Sequence, residues 1–341
     1  GRGGFNHRYA LPGPAGNSVM SNLRAVDIYP FADVATPDID GRGKEGLLDR
    51  ATRDGTVPRI FYILSSSEYW ARAASLSQTT ADGSRAVALG PQSRLYFLSG
   101  TPHAPRRAGI FADAATQAAY PYNDNQDLSD AINALLENLR LWAIHDVLPP
   151  DSVAPMPGST LVAAKDIRFP AIPGVRVPAE PPPVWQIDLG RAFRTKGILR
   201  EPVRTGARYP LLVPDVDEDG NELGGWRGTQ SSVPLGTYTA WNWQAPELAS
   251  FGFISGLTGG FIPFARTRAE RLAAQDPRLS IEERYGSREG FMRAAAAAVD
   301  HAVSQRFLLP MQRDAALERM SRHWDDVASL DGYLGKCQTT P

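Results

Sequence analysis

PRIFYILSSSEYW, Pro58 to Trp70, is the stretch that decides the fold. Ile60–Leu64 is a continuous apolar run of β-branched and aromatic residues. Such a run suits a strand buried on both faces, as in a parallel sheet. Upstream, Glu45–Pro58 reads as a short helix closed by Gly55 and Pro58. Downstream, SSSEYW leads into Tyr69–Leu76, which can form a helical turn or two. After the turn signal ADGS comes a second short apolar run, Leu95–Leu98, within RLYFLSGTPHAPRR (Arg94–Arg107). Asn123–Val147 then places Leu128, Ile132, Leu135, Leu136, Leu139, Trp142 and Ala143 at helical spacing. Helix, strand, helix, strand, helix is the grammar of a βαβ unit.

The composition shifts at Pro149-Pro150. Residues 149–183 are Pro-rich, with PAEPPP at 178–183, and exclude long helices. Short strands and loops are expected over 184–245, and helices toward the end. Ser280 and Glu283 form an S-x-x-E capping box for a short segment that Gly286 ends. An alanine-rich helix is expected over about Arg288–Leu308 and another over Asp314–Val327. The expected organisation is therefore a core over 1–150 and an extension over 151–341, Pro-rich and β-rich to about 250 and helical over 260–330.

At 341 residues with 43% hydrophobic and 9% aromatic content, the chain can build a large core. Its net charge of −1 and lack of a basic cluster argue against a nucleic-acid surface, and a small-molecule partner fits better. No apolar run of about 18 residues is present, so no membrane span is expected. The single cysteine, Cys337, has no partner for a disulfide or a metal site. The chain opens GRGGFNHRYA, with neither Met nor a signal-peptide pattern, as if within a domain. A processed or truncated piece is expected, and export is the preferred compartment.

The chemistry gathers at the two strand ends. Glu68 is expected in the loop after Ile60–Leu64, and His103 in the loop after Leu95–Leu98. In three-layer α/β hydrolases the order along the chain is nucleophile, acid, histidine, with each group placed where a strand leaves the sheet. A carboxylate there holds the imidazole in one tautomer, and the other ring nitrogen takes the nucleophile's proton. The alternative for each residue taken singly is a solvent-facing Glu and a His bonded to a backbone carbonyl. The nucleophile elbow G-x-S-x-G does not occur: Gly16–Met20 lacks the last glycine, and Gly252–Gly256 has isoleucine at its centre. The serine and oxyanion hole of a hydrolase are thus expected upstream of Gly1.

Several long segments carry a family resemblance. They are GRGGFNHRYALP (Gly1–Pro12), DIYPFAD with DGRGKEGLLDRA (Asp27–Asp33, Asp40–Ala51), PRIFYILSSSEYWARAASL, RLYFLSGTPHAP, VPDVDEDGNELGG (Val213–Gly225), VPLGTYTAWN, IPFARTRAER and DPRLSIEERY. Together they resemble the bacterial "alpha/beta hydrolase domain" family of serine hydrolases, from residue 1 to about 327. The resemblance implies a three-layer α/β-hydrolase parallel sheet, of which the last strands lie in this chain, and a serine-hydrolase reaction. It matches Glu68 to the acid and His103 to the base, and implies a serine segment shortly before Gly1. One departure is that Ala104-Pro105 follows the histidine, where the family usually has a nearby Gly.

Asn6-His7-Arg8 could line the substrate pocket, or fix a loop through hydrogen bonds. Tyr69, Trp70, Trp241 and Trp243 could form an aromatic pocket wall, with core packing as the alternative. DVDEDGNE (Asp215–Glu222) imitates the start of a calcium loop, but its twelfth position is Trp226, so a tight turn between strands is expected instead. His145, His301 and His323 show no ligand spacing. The expected activity is hydrolysis of a small carboxylic ester or lactone, needing no metal or organic cofactor. The alternative is a non-catalytic binding module on the same scaffold.

Overall fold

The computed structural model describes residues 29–41, 43–103, 122, 124, 126, 128–188, 190–192, 196, 198, 200, 204–239, 241–243, 254 and 259–330. Asn6 and His7 lie outside them. The strands in chain order are β1 (Thr36–Pro37), β2 (Lys44–Glu45), β3 (Ile60–Ser65), β4 (Ser93–Ser99), β5 (Leu161–Ala163), β6 (Val184–Asp188), β7 (Arg204–Tyr209), β8 (Leu212–Pro214), β9 (Trp226–Arg227), β10 (Gly236–Thr239) and β11 (Gly260–Pro263). The helices are α1 (Asp49–Arg53), α2 (Ser66–Arg72), α3 (Ser129–His145), α4 (Thr229–Ser232), α5 (Arg268–Ala274), α6 (Ile281–Tyr285), α7 (Arg288–Ser304) and α8 (Arg313–Ala328).

The two apolar runs are parallel neighbours, in register from Ile60 opposite Ser93 to Ser65 opposite Leu98. β4 is central: β9 pairs with its other edge, also parallel, with Leu98 opposite Trp226 and Ser99 opposite Arg227. β4 is buried along its apolar run, as expected of a strand covered on both faces. The first four residues of β3 are only partly buried, because among the described residues β3 has a strand on one side alone. Side chains of β4 alternate between two cores. Leu95 and Phe97 pack with Tyr69 and Leu161, whereas Tyr96 meets Leu135 and Phe307, and Leu98 meets Leu128 and Ala131. The sheet is thereby sandwiched between α2 and α3.

α3 is shorter than its apolar spacing predicts. It buries Ala131, Ala134, Leu135, Asn138 and Trp142, and leaves Leu136 and Ala143 exposed. The upstream helix shrinks to α1, because Lys44–Glu45 pairs antiparallel with Thr36–Pro37. The capping box at Ser280 and the stop at Gly286 form as expected. α7 ends at Ser304, since Arg306 adopts a left-handed turn that a helix cannot include.

The segment after Pro150 does more than pack outside a core. It contributes β9 to the parallel sheet, and its residues share one hydrophobic cluster with Trp70, including Tyr238, Trp241, Phe261, Phe291 and Met320. Among the described residues the longest antiparallel ribbons are β6–β7 and β10–β11. Asp215–Glu222 makes the tight turn, closed by an antiparallel bridge between Val216 and Glu222, with Gly220 at φ +79°. Asp217 in that turn pairs with Arg227, and Asp219 with Arg284. Among the described residues no helix is long and apolar enough to cross a membrane.

Candidate active site

Because β3 and β4 run parallel and in register, their C-terminal ends leave the sheet side by side. Ser66 N–H donates to the Thr101 carbonyl (3.1 Å), and Thr101 N–H donates to Ser66 Oγ (3.2 Å). His103 N–H donates to Ser67 Oγ (3.1 Å), so the second loop is stitched to the first turn of α2. Gly100 makes the bend out of β4 at φ +71°, where a Cβ would also sit 3.0 Å from Gln126 Nε2. These bonds bring His103 Nδ1 into hydrogen bonding with Glu68 Oε1.

Glu68 lies in α2 and not in a loop. α2 begins directly after β3, with Ser65 as its cap and Glu68 as its third residue. The reason is local. Ser65-x-x-Glu68 is itself a capping-box pattern, and Glu68 Oε2 accepts both the Ser65 N–H (2.6 Å) and the Ser65 hydroxyl. The two carboxylate oxygens thus have separate tasks: Oε2 closes the helix start and Oε1 meets the histidine. This arrangement holds the carboxylate in one rotamer before any substrate arrives.

The electrostatics of the pair are reciprocal. Burial pushes the Glu68 carboxyl upward, but hydrogen bonds from His103 and Ser65 outweigh it and hold the group below its ordinary value. The hydrogen bond to Glu68 raises the His103 pKa, against a smaller opposing effect of burial. Glu68 is 13% exposed and His103 50%, so the imidazole reaches solvent while its partner stays inside. With Nδ1 committed to the carboxylate, Nε2 is the nitrogen left to exchange protons, and among the described residues it has no hydrogen-bond partner. An imidazole so oriented can act as a general base through Nε2.

A second carboxylate, unforeseen from sequence, sits beneath this pair. Glu222 is buried, and its Oε2 accepts from the Ser66 hydroxyl and from Gly100 N–H (3.1 Å), while Oε1 accepts from Trp70 Nε1–H (3.3 Å). Burial raises its pKa to about 7. Its only local signal is its place at the end of the acidic Asp215–Glu222 stretch, which does not say what lies across from it. Asp124 is also buried, with burial pushing its carboxyl up and Glu222 adding to the rise.

Tyr69 and Trp70 belong to the core and do not form a pocket wall. They are 0% and 1% exposed, Tyr69 packing edge-on against Phe97 at 4.8 Å and Trp70 against Trp241 at 6.2 Å. Tyr69 is buried because α2 lies against the sheet, and Trp70 because the segment after Pro150 packs on α2. Trp241 and Trp243 are buried as well. The hydroxyls of Ser65, Ser66 and Ser67 are engaged with Glu68, Glu222 and the His103 backbone. His145 and His301 are exposed, while His323 is buried against the Tyr238 hydroxyl (2.7 Å).

A carboxylate and an imidazole are thus paired where two adjacent parallel strands end. The chain belongs to the alpha/beta hydrolase domain family, which its residues 16–318 match. No curated protein and no solved structure matches the chain.

Proposed function

We propose that this chain carries the acid and the base of a serine hydrolase acting on small carboxylic esters or lactones. The observation behind the proposal is the hydrogen bond from His103 Nδ1 to Glu68 at the ends of β3 and β4. In the proposed reaction a serine supplied by sequence preceding Gly1 attacks the ester carbonyl and gives its proton to His103 Nε2. The imidazolium, stabilised by Glu68, then protonates the departing alkoxide. Water, deprotonated by the same nitrogen, attacks the acyl-enzyme, and the proton passes from Nε2 to the serine oxygen as the acid is released. The engagement of Ser65, Ser66 and Ser67 in the loops is consistent with a nucleophile from elsewhere.

The test uses the protein expressed with the sequence its gene places before Gly1. Fluorophosphonate labelling and p-nitrophenyl ester turnover are expected in the wild type and in His145→Ala, and are expected to vanish in His103→Ala. Equal turnover in His103→Ala and the wild type would refute the assignment. No labelling or turnover in the wild type would favour a binding module on the same scaffold.

A further inference from the structure

We propose that Glu222 is a positioning residue for the Glu68–His103 pair, a brace that holds the two strand-end loops at the separation their hydrogen bond needs. The inference rests on the hydrolase reading for its catalytic consequence, but its structural content concerns the pair alone.

Glu222 lies outside both loops and bonds to each of them. On one side it takes the Ser66 hydroxyl and the Trp70 indole N–H, the first position of α2 and a residue one turn later. On the other side it takes Gly100 N–H, at the bend out of β4. Ser66 stands two residues before Glu68, and Gly100 three before His103. Ser66 Oγ also accepts the Thr101 N–H, so the hydroxyl relays the brace from Glu222 into the second loop. The backbone of Glu222 is fixed in turn: its carbonyl accepts from the Arg227 guanidinium at 2.9 and 3.1 Å, and Arg227 lies in β9 beside Ser99. The brace is therefore anchored in the sheet whose strands deliver the two catalytic side chains.

The energetics argue against simple space-filling. Taking a carboxylate out of water costs several kcal/mol, and an apolar side chain of similar volume would fill the same gap without that penalty. Glu222 instead meets three donors with its two oxygens, and those donors come from both loops. A displacement of about 1 Å between reacting groups can lower a rate about 100-fold, so a brace at this point acts on chemistry as well as on folding.

Two variants test the proposal. Glu222→Gln keeps the shape but turns an amide N–H toward donors that need an acceptor, and Ser66→Ala removes the relay hydroxyl, one of the three donors to Glu222, while leaving the carboxylate in place. The first readout is ¹⁵N NMR titration of the His103 ring, assigned with His103→Ala, which needs no nucleophile. In the wild type the His103 midpoint lies above the ordinary histidine value. In both variants it falls by about half a pH unit or more, as the Glu68 contact loosens. The second readout is ester turnover, where kcat falls about 10-fold and KM stays within about 2-fold. If Glu222→Gln fails to fold, Ser66→Ala decides. Folded variants with an unchanged His103 midpoint and unchanged kcat would overturn the brace. A wild type whose midpoint is not raised would overturn it too, because there would be no pair to position. A raised midpoint that falls in the variants, in a protein without esterase activity, would support the brace and refute the hydrolase reading.

Discussion

Glu68→Gln exchanges one oxygen for an NH2 group at the centre of the pair, and the structure sets its consequences. Both capping bonds from Ser65 go to Oε2, and only Oε1 meets His103. A glutamine can put its carbonyl oxygen on Ser65 and its NH2 on His103, so the start of α2 survives. The stability change should then be within about 1 kcal/mol, or roughly 1–2 °C in Tm for a chain of this length. The imidazole does not survive intact in function. An amide donor facing Nδ1 forces that nitrogen to accept, moving the proton to Nε2, which can then no longer take one. A wrong tautomer of this kind costs about 10⁴-fold in kcat, equivalent to about 5.5 kcal/mol of barrier. The pH profile supplies an independent check. Glu68 raises the His103 pKa, and in the proposed mechanism the base works only when neutral, so wild-type activity is expected to fall as pH drops through that raised value. Without the carboxylate the residual activity should persist to lower pH. The assay is p-nitrophenyl ester turnover over a pH series, with thermal unfolding of the same samples. A stable Glu68→Gln protein with kcat within about 3-fold of wild type would refute the orienting role.

Two further predictions concern stability. Burial lowers the His323 pKa to about 4, so between the ordinary value of 6.5 and that point the unfolded chain binds the extra proton. Stability is therefore lost as pH falls, by about 2 kcal/mol between about pH 7.5 and pH 5 from this group; His323→Gln, which keeps a partner for Tyr238, should remove that loss in urea unfolding curves. A Cβ at Gly225 would press on the Phe97 ring and lie 2.7 Å from the Phe97 carbonyl. Gly225→Ala should cost about 2–3 kcal/mol and loosen the β9–β4 pairing, read as faster amide exchange at Trp226 and Arg227; unchanged exchange would show that the strand accommodates the methyl.

Much of the candidate site was legible because its signals are local. Ile60–Leu64 and Leu95–Leu98 announce buried strands by unbroken apolar character, and each is followed within a few residues by a group able to carry a proton. The sequence reading placed Glu68 in a loop, although the Ser65-x-x-Glu68 spacing is the same pattern that identifies the start of α6 at Ser280. Tyr69 and Trp70 were ambiguous for a physical reason: a large aromatic ring suits a pocket wall and a core equally well, and only the packing of α2 on β4 for Tyr69, and of the segment after Pro150 on Trp70, settles which it meets.

What the sequence alone determined is therefore the order of elements, the burial of the two strands and the succession of Glu68 and His103 at their ends. Those features depend on spacings of a few residues, within which side-chain pattern and backbone geometry are coupled. The tertiary structure decided that β3 and β4 lie in parallel register, that β9 adds to β4 from beyond the Pro-rich segment, and that Glu222 enters beneath both loops. Glu222 stands 156 residues from Ser66, and no local periodicity records a contact at that separation. A buried carboxylate is specified by the donors that surround it, and those donors come together only when the chain has folded.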